Sequence, residues 1–304
     1  MWDLIVVGGG PAGLSALLYG SRLGAKTLLL EKLAPGGAIT LSSEIENYPG
    51  VCEVKDGLSF MECWKEQATR FGGEIRLEEV VKLEKEGEIF KVTSTQQEYK
   101  SYAVIIATGS SHRKAGFEGE EEFTGRGVSY CAVCDGFFYK GQEVAIIGGG
   151  DTALEEALYL SKIAKKVYLI HRRDKFRAAP STQKRVFNTS NIEIWFNSVV
   201  KRVEGKQFVE RVIVEREGKE TILKVPGVFV FVGMDPNTQL VRDLVELNER
   251  GEVKVNLKME TTLPGLFAAG DIRADSQKQV VIAAGDGATA AITAVKYIER
   301  IKNS

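Results

Sequence analysis

Hydrophobic and polar positions along this chain repeat in two similar modules. Leu4-Ile5-Val6-Val7 is a run of large, mostly β-branched side chains, which predicts a strand buried on both faces. It runs into Gly8-Gly9-Gly10-Pro11-Ala12-Gly13, a helical stretch from Leu14 to about Leu23, a turn at Gly24, and a strand from Thr27 to Leu30 that ends at Glu31. Phe60 to Phe71 has helical period and Glu74 to Leu77 reads as a strand. Ile89 to Thr93 and Tyr99 to Ile106 predict a hairpin-like β section turning near Gln96-Gln97. Val104 to Ala107 is apolar and stops at Thr108-Gly109, the pattern of a buried strand ending beside a ligand.

The same pattern returns at a constant spacing of 140 residues. Gly8, Gly9 and Gly10 match Gly148, Gly149 and Gly150; Leu14 matches Leu154, Leu18-Tyr19 match Leu158-Tyr159, and Leu29 matches Leu169. A gapless internal repeat of this length implies two copies of one architecture. The β section has its mirror too, in Gln207 to Glu215, Glu220 to Val225 and Val228 to Val232. A further buried strand, Gly265 to Asp271, precedes an Ala-rich helix from Gln279 to Ile301. The fold class expected is α/β: two Rossmann-like three-layer nucleotide-binding domains, each carrying a β insertion.

The glycine spacing has a physical basis. Gly8 makes the tight turn, Gly10 lets the backbone approach a pyrophosphate, and Gly13 allows close helix–strand packing; Ala153 takes the third place in the second copy. Phosphates then meet the unpaired N–H groups of the helix start. The copies differ where a ribose would lie. Glu31 suits an unphosphorylated diol, as in the AMP half of FAD or NAD. His171, followed by Arg172, Arg173 and Arg177, suits a 2′-phosphate, which guanidinium groups grip and a carboxylate repels. The second site therefore reads as NADP(H). Asp271, at a strand end, reads as a contact to the ribityl chain of a flavin.

Composition narrows the class. The 40 basic and 41 acidic residues nearly cancel, so no global field favours nucleic acid or an anionic membrane. No apolar run is expected to approach the roughly 20 residues of a membrane span, and Met1-Trp2-Asp3 resembles no leader, so a soluble cytoplasmic chain is expected. In a reducing compartment Cys131-Ala132-Val133-Cys134 is a redox or metal motif rather than a structural disulfide. Cys52 and Cys63 lack the spacing of a second zinc knuckle and are expected to be small packing residues. His112 reads as surface. With only two histidines, a Ser-His-Asp triad or His-rich metal site has nothing to be built from, and no metal is expected.

Taken together, Gly8 to Gly13, Glu46-Asn47-Tyr48-Pro49-Gly50, Ala107-Thr108-Gly109, Gly125 to Ser129, Cys131 to Gly136, Gly148-Gly149-Gly150-Asp151-Thr152-Ala153, His171 to Asp174 with Phe176-Arg177-Ala178, and Phe267 to Asp271 resemble the low-molecular-weight thioredoxin reductases over nearly the whole chain. The resemblance implies a homodimer with FAD held by the first loop (Gly8, Gly10, Pro11, Ala12, Gly13), Glu31, Asn47, Thr108, Gly109, Asp271 and Gln279. It implies NADPH on Gly148, Gly150, Asp151, Thr152, His171, Arg172, Arg173 and Arg177, and thioredoxin as the disulfide substrate. It also implies an FAD domain of residues 1–114 plus 242–304, interrupted by an NADPH domain of residues 115–241 that carries the dithiol. Two positions depart from the family pattern near the flavin: Ala38 stands where Gln is usual and Lys278 where Arg is usual.

The parts imply a route for electrons. NADPH delivers a hydride to FAD, the flavin reduces the Cys131–Cys134 disulfide, and the dithiol reduces an external disulfide through a mixed disulfide. Asp135 is placed to exchange a proton with a departing thiol. By resemblance Cys134 lies nearer the flavin; which sulfur attacks the partner stays open. Because NADPH and the dithiol share one domain and one flavin, that domain is expected to rotate about linkers near 114–117 and 237–242. Another thioredoxin-like or peroxiredoxin-system partner would use the same chemistry. A non-catalytic redox sensor would not need a dithiol and a 2′-phosphate cluster together.

Overall fold

A computed structural model describes residues 1–41, 45, 48–53 and 55–303, without the side chains of Val133 and Cys134. The elements begin with β1 (Trp2–Val7), α1 (Pro11–Arg22), β2 (Thr27–Glu31), α2 (Gly57–Thr69), β3 (Glu74–Leu77), β4 (Val80–Glu86), β5 (Ile89–Ser94), β6 (Glu98–Ile106) and β7 (Ser110–His112). There follow β8 (Val128–Ser129), α3 (Ala132–Asp135), β9 (Glu143–Gly148), α4 (Asp151–Leu160), β10 (Lys166–Ile170), α5 (Pro180–Phe187), β11 (Ile192–Trp195), β12 (Ser198–Gly205), β13 (Val209–Arg216), β14 (Lys219–Leu223) and β15 (Gly227–Phe231). The last are β16 (Met234–Pro236), β17 (Leu266–Ala268) and α6 (Val280–Lys302).

Two compact units result: Met1–Ser111 with Asp235–Ser304, and His112–Met234. The chain crosses between them at β7 and β16, which pair with each other.

In the first unit β3, β2, β1, β6 and β17 are parallel neighbours, and β5 and β4 extend the sheet antiparallel from the first half of β6. Side-chain alternation along each strand feeds two cores. Leu4, Val6, Leu29, Ala103 and Ile105 pack with α1, α2 and α6. Ile5, Val7, Leu28, Leu30, Val104 and Ile106 pack with Phe90, Val92, Val241 and Val245. Pro11 opens α1 with φ already helical, and Asp56 caps α2 by accepting from the Ser59 amide at 2.9 Å.

α6 is 23 residues long, with a mean hydropathy of 1.2 over an 18-residue window. By length and composition it could cross a membrane, which corrects the expectation that no segment comes near that. Its partners are those of a core helix. The Ser15 hydroxyl donates to the Ala284 carbonyl at 2.7 Å, and a Cβ on Gly287 would overlap the Ala12 carbonyl, so α1 and α6 meet backbone to backbone.

The second unit repeats the plan. β11, β10, β9, β15 and β8 form a parallel sheet, while β12, β13 and β14 form a separate antiparallel one. Val144, Ile146, Val167 and Leu169 pack with α4, and Ala145, Ile170, Val228 and Val230 pack with Val203, Val212 and Val214. Among the strands not legible in the pattern, β4 (Val-Val-Lys-Leu-Glu-Lys-Glu) and β12 are rich in charge because their outer faces meet water.

On α4, one Glu156 carboxylate oxygen is buried without a hydrogen-bond partner. Burial, and then the Glu155 charge, push this carboxyl from 4.5 up to about 7. A raised carboxyl favours the folded state while protonated, so its contribution is present below pH 4.5 and is lost as pH rises through about 7. Glu156→Gln is therefore expected to stabilise the protein at pH 8 relative to pH 5, by on the order of 2 kcal/mol. Denaturant unfolding of both proteins at the two pH values checks this; an equal effect at both would contradict it.

Candidate functional site

At the carboxyl end of the first sheet, three strand ends lie at one level. The Ala107 amide donates to the Val7 carbonyl at 2.8 Å and the Ala269 amide to the Ile106 carbonyl at 3.0 Å, so the segments after β1, β6 and β17 share that edge. In open α/β sheets ligands collect there. Gly8 has φ +102°, and a Cβ on it would stand 2.5 Å from the Ala107 carbonyl oxygen. A Cβ on Gly13 would overlap the Gly8 carbonyl, which seats the first turn of α1 directly on the loop. Around Gly10 the space is open, the nearest atom to a Cβ being the Gly37 Cα at 3.8 Å. Gly10 is also the N-cap of α1 and no side chain caps the helix, so first-turn amides including those of Ala12 and Gly13 present positive ends beside that space.

Glu31 closes the loop from the side. Its carboxylate accepts from the Gly9 amide at 2.7 Å and from the Leu33 amide at 3.0 Å. Thr108 and Gly109 are tied to Asn237, a residue without a sequence signal. The Thr108 hydroxyl donates to the Asn237 carbonyl, the Asn237 side-chain amide to the Thr108 carbonyl (both 2.8 Å), and the Asn237 backbone amide to the Gly109 carbonyl at 3.0 Å.

Asp271 follows β17, and burial pushes its carboxyl up; Ser276 donates to it at 3.4 Å. Its turn is held by Asp286 of α6, which accepts from the Gly270 amide at 3.2 Å and pairs with Arg273 at 2.6 Å. Gln279 is the N-cap residue of α6. Asn47 lies outside the described residues.

The second loop has the same construction with different chemistry. Gly150 is the N-cap of α4, with no side-chain cap and nothing within 4 Å of a Cβ. Asp151 accepts from the Ala179 amide at 2.7 Å, while Thr152 is exposed. His171 takes the place of Glu31: its ring is so close that a Cβ on Gly149 would overlap it. Buried there, it is held toward the neutral form, and its Nε2 donates to the Lys175 carbonyl at 3.0 Å. The Arg177 amide donates to the Gly149 carbonyl at 2.8 Å. His171 thus shapes the turn, and the turn carries the cations. Arg172, Arg173 and Arg177 are exposed, and none forms an ion pair among the described residues.

In the same unit Cys131 is disulfide-bonded, and its amide donates to the Ser129 hydroxyl at 3.1 Å. The Asp135 amide closes the short helix α3 on the Cys131 carbonyl at 3.2 Å. Gly136 is buried against Leu160 of α4. The Cys134 side chain lies outside the description. Phe137 and Phe138, overlooked in the sequence, are 68% and 74% exposed directly after the dithiol segment. Cys52 and Cys63 are exposed free thiols, which corrects their reading as packing residues: their segments lie at the surface of the first unit. A cavity of about 750 Å³ at the opposite sheet edge, bounded by Phe267, Tyr297 and Arg300, contains none of the loop residues.

This construction defines a class. The chain belongs to the pyridine nucleotide-disulphide oxidoreductase family, whose model matches residues 2–287. It is 49% identical to a thioredoxin reductase of Helicobacter pylori, over 98% of this chain and 99% of that one, and 40% identical to that of Bacillus subtilis, over 100% and 97%. The crystal structure of Lactococcus lactis thioredoxin reductase matches with a TM-score of 0.81 at 40% identity, covering 99% of this chain and 100% of that one. Within the family the chain is a member of the low-molecular-weight thioredoxin reductases.

Two glycines test the loop. Gly8→Ala is expected to cost ~1–2 kcal/mol or more, from the positive φ and the Ala107 carbonyl, whereas Gly10→Ala should leave unfolding of the ligand-free protein nearly unchanged. Equal losses in a thermal melt would show that the space at Gly10 is not open.

Proposed function

We propose that the chain is an NADPH-dependent, FAD-containing reductase of the thioredoxin disulfide. The observation that carries this reading is a pair of like-built glycine loops closed by opposite chemistry, a carboxylate in one unit and three exposed guanidinium groups in the other, with a disulfide-bonded Cys131 in the same unit as the second. The full-length similarity to thioredoxin reductases supports the choice of partner. Another thioredoxin-like protein or a peroxiredoxin-system component is the alternative partner.

The residues fit both cofactors. The open cradle at Gly10, with uncapped amides of α1, suits the FAD pyrophosphate; Glu31 presents acceptors to a ribose diol; Asp271, Thr108, Gly109 and Gln279 stand at the same edge for the rest of the molecule. Gly150, Asp151 and Thr152 offer the second cradle, and Arg172, Arg173 and Arg177 the charge for a 2′-phosphate. When bound, the flavin supplies the relay that turns a hydride from NADPH into an electron pair for a disulfide.

The chain's own residues do the rest. Ser129 holds the Cys131 backbone, Cys131 and Cys134 form the exchangeable disulfide, and Asp135 passes a proton to the departing thiolate. Exposed Phe137 and Phe138 offer an apolar landing surface beside the dithiol, which a protein substrate needs and a small disulfide does not. Exposed Tyr19, Leu23 and Phe71 supply apolar surface for a homodimer, and the paired crossings at β7 and β16 are the pivot about which the NADPH unit turns.

Anaerobic titration of the purified yellow protein with NADPH, followed by oxidised thioredoxin, is the direct test: the flavin should bleach and then recover its colour. A flavin that stays reduced would remove thioredoxin as the substrate. Cys134→Ser should keep NADPH-dependent flavin reduction and lose disulfide turnover. Arg172→Ala with Arg177→Ala should raise KM for NADPH about 100-fold or more, since each of the two lost charge-assisted bonds is worth about 1.5–3 kcal/mol, and leave NADH unaffected. An unchanged coenzyme preference would mean that the arginines are only a solvated turn.

A further inference from the structure

Glu120 has no place in the chemistry above, yet its buried side chain accepts three hydrogen bonds. It is 2% exposed and, among the described residues, forms no ion pair. Its two carboxyl oxygens accept from the Ala115 amide at 2.8 Å, the Gly116 amide at 2.6 Å and the Tyr130 hydroxyl at 2.8 Å. Two of these donors belong to the segment that leaves the crossing strand β7; the third adjoins Cys131. The His112 ring, at the end of β7, stacks on Tyr130 with centroids 5.5 Å apart and planes 27° apart. The next residue reaches the other crossing, since the Arg113 amide donates to the Gly233 carbonyl at 2.9 Å.

We propose that Glu120 is a positioning residue that clasps the first crossing segment to the dithiol segment, so that the two move as one body when the unit turns. This rests on the reductase reading for its purpose and on hydrogen bonds alone for its existence. The physical reason for one buried carboxylate is economy of compliance. Without it, motion at His112–Gly116 would reach Cys131 through the stacked His112 and Tyr130 rings, which can slide, and along the intervening chain, which can absorb it in backbone torsions. Three donors converging on one buried carboxyl group leave little such freedom, because releasing any of them leaves a buried polar group unmatched. Burial, and then the bond to Glu120, also raise the Tyr130 hydroxyl, so it stays a donor throughout the pH range in which a thiol exchanges.

Tyr130→Phe is the sharper probe, because it leaves the Ala115 and Gly116 amides and Glu120 in place and removes only the dithiol end of the clasp. In the FAD-loaded protein, amide exchange of the 112–118 segment should quicken by about fivefold or more. Glu120→Gln, in which an amide N–H2 replaces one acceptor, should loosen the 112–118 and 128–132 segments together. In both variants kcat for thioredoxin reduction should fall about tenfold with KM for thioredoxin within twofold. Electron flow from NADPH to ferricyanide, which takes electrons from flavin without the dithiol, should stay near that of the unaltered protein. Exchange at 112–118 unchanged in Tyr130→Phe would overturn the clasp. Faster exchange with full thioredoxin turnover per flavin would overturn the positioning role. If the unaltered protein reduces ferricyanide but not thioredoxin, the substrate assignment fails, and the exchange measurement decides the clasp independently.

Discussion

The two units depend on backbone lying against backbone at the strand-to-helix turn. In the first unit the Gly8 loop touches the carbonyl of Ala107, Gly13 sits on Gly8, and the adjacent Ala12 meets Gly287 of α6. No side chain intervenes at any of these contacts. The helix start is therefore held against the sheet edge by contacts with almost no slack, and its uncapped amides point to a fixed place. A sheet with larger residues at these positions could still bury its apolar faces, but the amides would stand elsewhere.

On that common frame, small electrostatic differences separate the two loops. Glu31 takes backbone amides of the loop and turn with both oxygens. His171 occupies the corresponding place as a buried neutral ring, fixing the turn that exposes three arginines. Replacing an anion by a neutral ring removes repulsion toward a phosphate, and the guanidinium groups beyond it supply attraction. Duplication with divergence at one strand end is enough to give two like-built loops of opposite charge.

Buried polar nodes hold the segments that the sheets do not. Asn237 joins the end of β6 to the chain returning after β16, Asp286 holds the 270–273 turn, and Glu120 holds the segment after β7. Each is a single side chain matched by several partners, as burial of a polar group requires. None shows periodicity or a motif, because the partners are distant in sequence or are backbone amides. Such nodes were invisible in the chain, as were β4 and β12, whose water-facing charges hide one buried face.

The sequence by itself determined the repeat, the buried strands from Leu4 to Val7 and Val144 to Ile147, both glycine loops, and the contrast between Glu31 and the arginine cluster. These are local patterns, set by side-chain period and by residues that must be glycine. Only the tertiary structure decided that Cys52 and Cys63 are exposed, that α6 spends its apolar length on α1, that His171 is buried under its loop, and that the chain crosses at β7 and β16. Those outcomes depend on which surfaces meet, and a surface is covered or left bare by residues far away in the chain.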